Sequence, residues 1–379
     1  MQETGEELDM LRRTVRGFVA DELIPHEAAV DEADEIAPAL MQGLRQKALA
    51  LGLYGYNMPE ALGGPGLSVA ARTVIDEETG HTSMALAEAI GHLPGSLVFC
   101  SAAQQDWLIK PLMRAETTIA YALTEPDAGS DLNALRTRAV KADGGWVIDG
   151  SKHYISHAET ADHTIVLAVT DRDAGLKGRL TTFIVPKGHP GFHITRRFRK
   201  LGWRGYPLSA LSFENCFVPD DHVLGEVGGG FATMMATINN DRLFVACRCV
   251  GMAQRAMDLA VPYARERKTF GKSLSEHQAI QFMLADSDVE LEAGRLLCRK
   301  AAALADEGSP DYRIAASRAK LYCSEMAGRV ADRVLQVFGG AGFMCDLPIE
   351  RIYRDVRGFR IGEGTSEMQR LQIARHLLG

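Results

Sequence analysis

From Leu8 onward, apolar residues fall at three- and four-residue steps: Leu8, Leu11, Val15, Phe18 and Val19 line one face of a helix. Pro25 interrupts that pattern, and Pro59 with the run Gly63-Gly64-Pro65-Gly66 marks a long turn. Helical spacing returns near 70–90 and 96–113. The texture changes at about Thr118. Gly144-Gly145 and Asp149-Gly150 bracket Trp146, Val147 and Ile148 as hairpin-like turn signals. Short β-rich runs follow at 165–170, 181–185 and 211–217, separated by glycine and proline. Short strands with frequent turns predict a small antiparallel β-barrel or sandwich. After Gly228-Gly229-Gly230 the pattern predicts helices over about 231–267, 276–307, 311–338 and 366–378, with Pro262 bending the first or starting an irregular end.

The expected fold is therefore mostly α with one β domain. An N-terminal helical domain (1–117) is followed by a middle β domain (118–225) and a C-terminal helical bundle (226–379). A length of 379 residues suits two or three domains, and 46% hydrophobic with 24% charged residues is an ordinary globular balance. The net charge of −7 argues against a nucleic-acid partner. No apolar run approaches the roughly 18 residues of a membrane span. The acidic start, Met1 to Asp9, lacks signal-peptide character. The seven scattered cysteines include no C-x-x-C pair and read as reduced thiols. The expectation is a cytoplasmic protein with no membrane, metal or nucleic-acid partner.

Familiar catalytic signatures are missing. There is no G-x-G-x-x-G after a strand, no H-E-x-x-H and no G-x-S-x-G. Gly271-Lys272-Ser273 imitates a P-loop end, but Glu266 stands where the loop needs glycine. His153 and His157 are four apart in a probable strand, which is not a helix-face metal pair.

Four stretches carry more: Tyr121-Ala122-Leu123-Thr124-Glu125-Pro126-Asp127-Ala128-Gly129-Ser130-Asp131, Arg265-Glu266-Arg267-Lys268-Thr269-Phe270-Gly271-Lys272, Gln336-Val337-Phe338-Gly339-Gly340-Ala341-Gly342-Phe343, and Arg360-Ile361-Gly362-Glu363-Gly364-Thr365-Ser366-Glu367-Met368-Gln369-Arg370. In this order, and over essentially the whole chain, they resemble the acyl-CoA dehydrogenase family. The resemblance implies helical, β-barrel and helical-bundle domains. It also implies a homo-oligomer, expected to be a tetramer, with one FAD per subunit and an electron-transfer flavoprotein as electron acceptor.

The resemblance further assigns residues. Tyr121, Leu123, Thr124 and Ser130 are expected at the flavin, Ser130 also on the thioester side. The strand Lys152-His153-Tyr154-Ile155-Ser156 corresponds to one that runs behind the flavin. Tyr154 stands where the family usually has tryptophan, and Ser156 where it has threonine; both keep the aromatic surface and the hydroxyl. Arg267, Thr269, Phe270 and Gln278 are expected to reach a neighbouring subunit's FAD, with Gln336, Val337, Gly339 and Gly340 at its adenosine-diphosphate portion. Arg267 offers a donor fork suited to pyrophosphate. Ser275–Gln278 and Ser366–Gln369 also read as capping boxes, and Thr365 and Glu367 open a helix whose N-terminus favours negative charge. Asn239, Arg242, Gly364 and Arg375 are expected to contact acyl-CoA.

Glu363, flanked by Gly362 and Gly364, matches the family's usual catalytic base. A minority of the family places the base on the helix immediately before the arginine, where this chain has Asp241. The implied reaction is α,β-dehydrogenation of an acyl-CoA thioester to the 2-enoyl-CoA, with Glu363 removing the α-proton and hydride passing to flavin N5. Three rivals share the fold: a flavin monooxygenase, an acyl-CoA lyase or desulfinase without net oxidation, and a silent FAD-bound scaffold. Glu88 and His92 are four apart on an expected helix, and the resemblance implies that this helix lines the end of the acyl pocket. A buried Glu–His pair there would disfavour a long plain alkyl tail.

Overall fold

A computed structural model describes residues 3–379. The first helix, Gly5–Phe18, opens on a capping box in which Thr4 and Glu7 satisfy each other's backbone groups, and it buries Val15 and Phe18. Helices Pro38–Ala50 and Val69–Thr79 follow. Beyond Met84–Ala87 the chain tightens through Glu88–Ile90 and turns at Gly91 (φ 67°). The C-terminal part contains Gly230–Glu266, Gln278–Asp306, Tyr312–Phe338 and Ser366–Leu378, close to the expected bounds. The helix Pro348–Val356 was not anticipated. The helix that carries Pro262 ends within four residues of it, at Glu266.

The helices before the sheet and those after it share one hydrophobic core. Val15, Leu23, Ile75, Leu86 and Ile90 pack in the same cluster as Phe244, Val250, Ala327, Val334 and Ile352. The sheet has a separate core built on Ile148, Phe183, Leu211 and Phe213.

The β region departs from an antiparallel barrel. Its strands are β1 (Ile119–Ala122), β2 (Arg138–Ala142), β3 (Gly145–Ser156), β4 (His163–Val169), β5 (Leu180–Pro186), β6 (Phe192–Arg197), β7 (Leu208–Pro219) and β8 (Val223–Leu224). They run in the order β6-β7-β3-β2-β4-β5-β8, with β1 paired to β4. β1 and β2 both lie parallel to β4, so the sheet is mixed, and β6 and β8 are unpaired edges, so it is not closed. Asp149-Gly150 is not a turn. β3 runs through it for twelve residues with a bulge against β7. A Cβ on Gly150 would lie 2.6 Å from the Thr137 backbone, so the glycine serves a close approach of two strands. Among the described residues no helix is long and apolar enough to cross a membrane.

Candidate active site

The segment after β1 and the end of β3 are tied together. The backbone N–H of His153 donates to the Thr124 carbonyl at 2.8 Å. The Lys152 ammonium, wholly buried, donates to the Leu123 carbonyl (2.9 Å) and to Glu125 Oε1 (2.8 Å). Glu125 also accepts from the backbone N–H groups of Arg136 and Thr137. Burial alone would raise its carboxyl, but Lys152 and these donors hold it below the ordinary range. Glu125 and Ala128 close a tight turn by exchanging backbone bonds, which leaves Ser130 exposed beyond it.

At the next bulge of β3 the strand alternation breaks. Tyr154 takes a left-handed φ of 58°, unusual for an aromatic residue, and its ring stays 58% exposed between His153 and Phe198. Ser156 lies against the Tyr206 hydroxyl. Ile155 points into the sheet core, so only its backbone remains available to a ligand.

Glu363 has φ 52° and precedes Gly364 (φ 81°), so the loop presents it from a strained bend. Two groups clamp this bend. Lys320 Nζ donates to the Gly364 carbonyl at 2.6 Å, and Gln369 Nε2 donates to the carbonyls of Glu363 and Gly364. The Ser366–Gln369 capping box therefore does not form: Thr365 caps the helix by accepting from Met368 N–H, and Gln369 is spent on the loop.

Glu363 keeps exposed surface while protein surrounds it closely. Burial, followed by the nearby Asp241 charge, pushes its carboxyl up to about 7; Lys320, His92 and Arg242 oppose the rise. Burial and the charge of Glu88 push Asp241 up to about 7 as well. Two carboxyls near one another resist simultaneous ionisation, and Glu363 bears the charge of Asp241. Arg242 donates to Ser317 Oγ at 3.4 Å and leaves its Nε without a partner. Asn239, one helix turn earlier, has its Oδ1 unpartnered.

Glu88 and His92 do not pair with each other. The left-handed Gly91 separates them, so the shared helix face is lost. Glu88 meets His157 Nε2 at 3.4 Å and Arg248 at 3.9 Å, and these partners hold its carboxyl low against the effect of burial. His92 instead bridges Asp241 and Tyr56. The polar character expected for this region is present, with other partners.

The remaining expected residues gather elsewhere. Tyr263 and Phe338 meet with ring centroids 4.2 Å apart and bring the ends of two long helices together, and with them Arg267 and Gln336. Lys268–Thr269 and Lys272–Ser273 form a small hairpin, tipped by Phe270 at φ 50° and 98% exposure. Thr269 Oγ1 meets His277 Nε2 at 3.1 Å. Gln278, Gln336, Gly339 and Gly340 are exposed, and Val337 is buried in its helix. The capping box here joins Ser273 to Glu276, two residues before the expected one. Glu367 is exposed and pairs with Arg370, while Arg375 is exposed with no side-chain partner among the described residues. No hydrogen bond or ion pair among the described residues joins this bundle end to Thr124, Tyr154 or Ser156.

Sequence reasoning missed Lys320, Lys152 and the His92 bridge. Lys320 carried a signal: it is the one cation among Ile314, Ala315, Ala319, Cys323 and Ala327, a buried helix face.

Comparison with known proteins places this arrangement. The acyl-CoA dehydrogenase N-terminal, middle and C-terminal domain models match residues 5–116, 120–216 and 228–378. The chain is 39% identical to human mitochondrial short-chain specific acyl-CoA dehydrogenase, covering 99% of this chain and 91% of that protein. It is 38% identical to the probable acyl-CoA dehydrogenase FadE25 of Mycobacterium tuberculosis, covering 98% and 96%. The butyryl-CoA dehydrogenase structure from Megasphaera elsdenii superposes with a TM-score of 0.91 at 32% identity, over 100% of both chains. With three consecutive domains matched and near-complete coverage, the chain belongs to the acyl-CoA dehydrogenase family.

Proposed function

We propose that this oxidoreductase dehydrogenates an acyl-CoA thioester to the 2-enoyl-CoA, with Glu363 as general base. The observation that carries the reading is Glu363 itself: a carboxylate on a strained, doubly clamped bend, raised to about 7 by its surroundings and the Asp241 charge. A base poised near the working pH combines availability with proton affinity. Arg242 supplies a fixed positive charge nearby, and Lys320 holds the loop rather than the substrate.

The family's cofactor is FAD, which, when bound, supplies the hydride acceptor that no side chain can provide. The residues present fit it. Tyr154 offers an exposed aromatic face, Ser130 and Ser156 offer hydroxyls, and Leu123 and Thr124 lie beside them on the tied segment. Tyr121, on β1 just before this segment, we assign to the same group. Arg267, Phe270, Gln278, Gln336 and the Gly339-Gly340 backbone form the second, separate group, which we assign to a neighbouring subunit's FAD. The helix Gln278–Asp306 leaves Phe282, Val289 and Leu296 exposed at seven-residue intervals, an apolar seam suited to a homo-oligomer. We assign acyl-CoA contacts to Ser130, Asn239, Arg242, Gly364 and Arg375, and electron acceptance to an electron-transfer flavoprotein. The zones 1–117, 118–225 and 226–379 serve as its three domains.

Anaerobic mixing with a panel of acyl-CoA thioesters should bleach the bound flavin with at least one member; no bleaching across the panel would overturn the reading. The rate of bleaching should rise with pH through about 7, because Glu363 must be ionised to accept the α-proton. A rate flat from pH 6 to 8.5 would remove Glu363 from that role. Arg267→Ala should shed FAD on gel filtration while each subunit stays folded by circular dichroism; full FAD occupancy in that variant would place the second group outside the cofactor site.

A further inference from the structure

A base that has taken a proton must lose it before the next turnover, and bound cofactor and thioester would cover the surface that Glu363 exposes, leaving the proton in need of another route. The charge of Asp241 reaches Glu363, and the Asp241 carboxyl Oδ1 lies 3.0 Å from His92 Nε2. The other ring nitrogen, Nδ1, lies 3.0 Å from the Tyr56 hydroxyl. That hydroxyl in turn donates to Asp76 Oδ1. His92 is stacked on Phe244 with ring centroids 4.0 Å apart and planes 21° from parallel, which fixes the ring in the line. Tyr56 and Asp76 are buried, and the side chains of His92 and Asp241 are only 12% and 13% exposed.

Two hydrogen-bonding patterns satisfy all four groups. In one, protonated Asp241 donates to Nε2, Nδ1–H donates to the Tyr56 oxygen, and Tyr56 donates to ionised Asp76. In the other, Nε2–H donates to ionised Asp241, Tyr56 donates to Nδ1, and protonated Asp76 donates to the Tyr56 oxygen. They hold the same protons and differ in which end carboxyl carries one, and His92 and Tyr56 are neutral in both. The surroundings suit this. Burial pushes the imidazole down to about 4, with Arg248 and Arg72 adding to the effect and Asp76 and Glu88 opposing it. Both end carboxyls are raised, so either end can hold the proton. Asp76, Tyr56 and the edge of His92 line a small cavity of about 30 Å³ with Asn57, Arg72, Thr73 and Tyr312, room enough for one water.

We propose that Asp241, His92, Tyr56 and Asp76 relay the proton taken by Glu363 out of the substrate cleft to this cavity. The inference rests on the reading of Glu363 as base. Glu363 gives its proton to Asp241; that of Asp241 passes to Nε2, that of Nδ1 to the Tyr56 oxygen, and that of Tyr56 to Asp76. The net change is one proton moved and no electrons.

The test uses the FAD-loaded enzyme in D2O with a 3-thia acyl-CoA, whose β-sulfur bears no hydrogen, so α-proton removal proceeds without turnover. His92→Gln keeps hydrogen bonding but cannot accept a proton at one end and release one at the other. Tyr56→Phe cuts only the link to Asp76. Both should slow deuterium entry at the α-carbon by at least roughly tenfold, with thioester affinity unchanged by calorimetry. Exchange at the parent rate in Tyr56→Phe would overturn the relay, as would slowing matched by an equal loss of affinity. Should His92→Gln fail to hold FAD, Asp76→Asn carries the same expectation. Absence of exchange in the parent enzyme would instead defeat the assignment of Glu363, a separate failure.

Discussion

Glu363→Gln should bind FAD and acyl-CoA normally yet bleach the flavin about 10²–10⁴ times more slowly, the usual contribution of a general base. Glutamine keeps the shape of the side chain and removes its proton-accepting charge. The clamps that shape the bend are on backbone carbonyls, from Lys320 and Gln369, so the substitution leaves them intact. Loss of activity then reports chemistry and not a collapsed loop. Asp241→Asn should cost far less, since the Asp241 carboxyl is engaged with His92. It should also shift the pH midpoint of bleaching downward, because the nearby charge that raises Glu363 is gone. Rapid-mixing absorbance across pH 5.5–9 checks both outcomes. The reverse order of losses would move the base to Asp241.

The largest stability effect is expected at Lys152 and Glu125. The Lys152 ammonium is 0% exposed and Glu125 only 6%, at 2.8 Å. Lys152→Met removes one partner and strands the carboxylate; breaking a buried pair costs about 3–5 kcal/mol. Glu125→Gln should cost less, because a single oxygen in the place of Oε1 still accepts from the Thr137 N–H and from Lys152, and only the bond from the Arg136 N–H is lost. Chemical denaturation with the FAD occupancy held equal measures both. The pair also sets an acid limit. Glu125 is held below its ordinary value near 4.5, so its contribution is complete above that value and is lost as pH falls through the lower, folded one. A Lys152→Met variant as stable as the parent would show that the tied segment stands without the pair.

The sequence pattern was a good guide wherever structure is local. The four long helices after Gly230 end within a few residues of where periodicity and glycine placed them, because each depends on contacts three and four residues apart. It misled wherever a distant partner decides. Asp149-Gly150 has turn composition, but β7 pairs on both sides of it and converts it to a bulge. The parallel pairing of Ile119 with His163 leaves no local mark, since a parallel partner is chosen by packing. Pro348–Val356 was too short to stand out against its neighbours. At the site, Glu363 was legible from its flanking glycines. The bond from His92 to Asp241 spans 149 residues and has no sequence signature at all.

The single core shared by the helices on either side of the sheet has a consequence for synthesis. Val15, Ile75 and Ile90 share their core with Phe244, Val334 and Ile352, which are made later. At about 5–20 residues per second, tens of seconds separate the emergence of the two sets from a ribosome. During that interval the sheet can close on its own residues, while the leading helices keep their apolar faces uncovered. The nascent chain is therefore a natural client for chaperones that hold exposed apolar helices. Fragments cut after the sheet should aggregate where the intact chain folds.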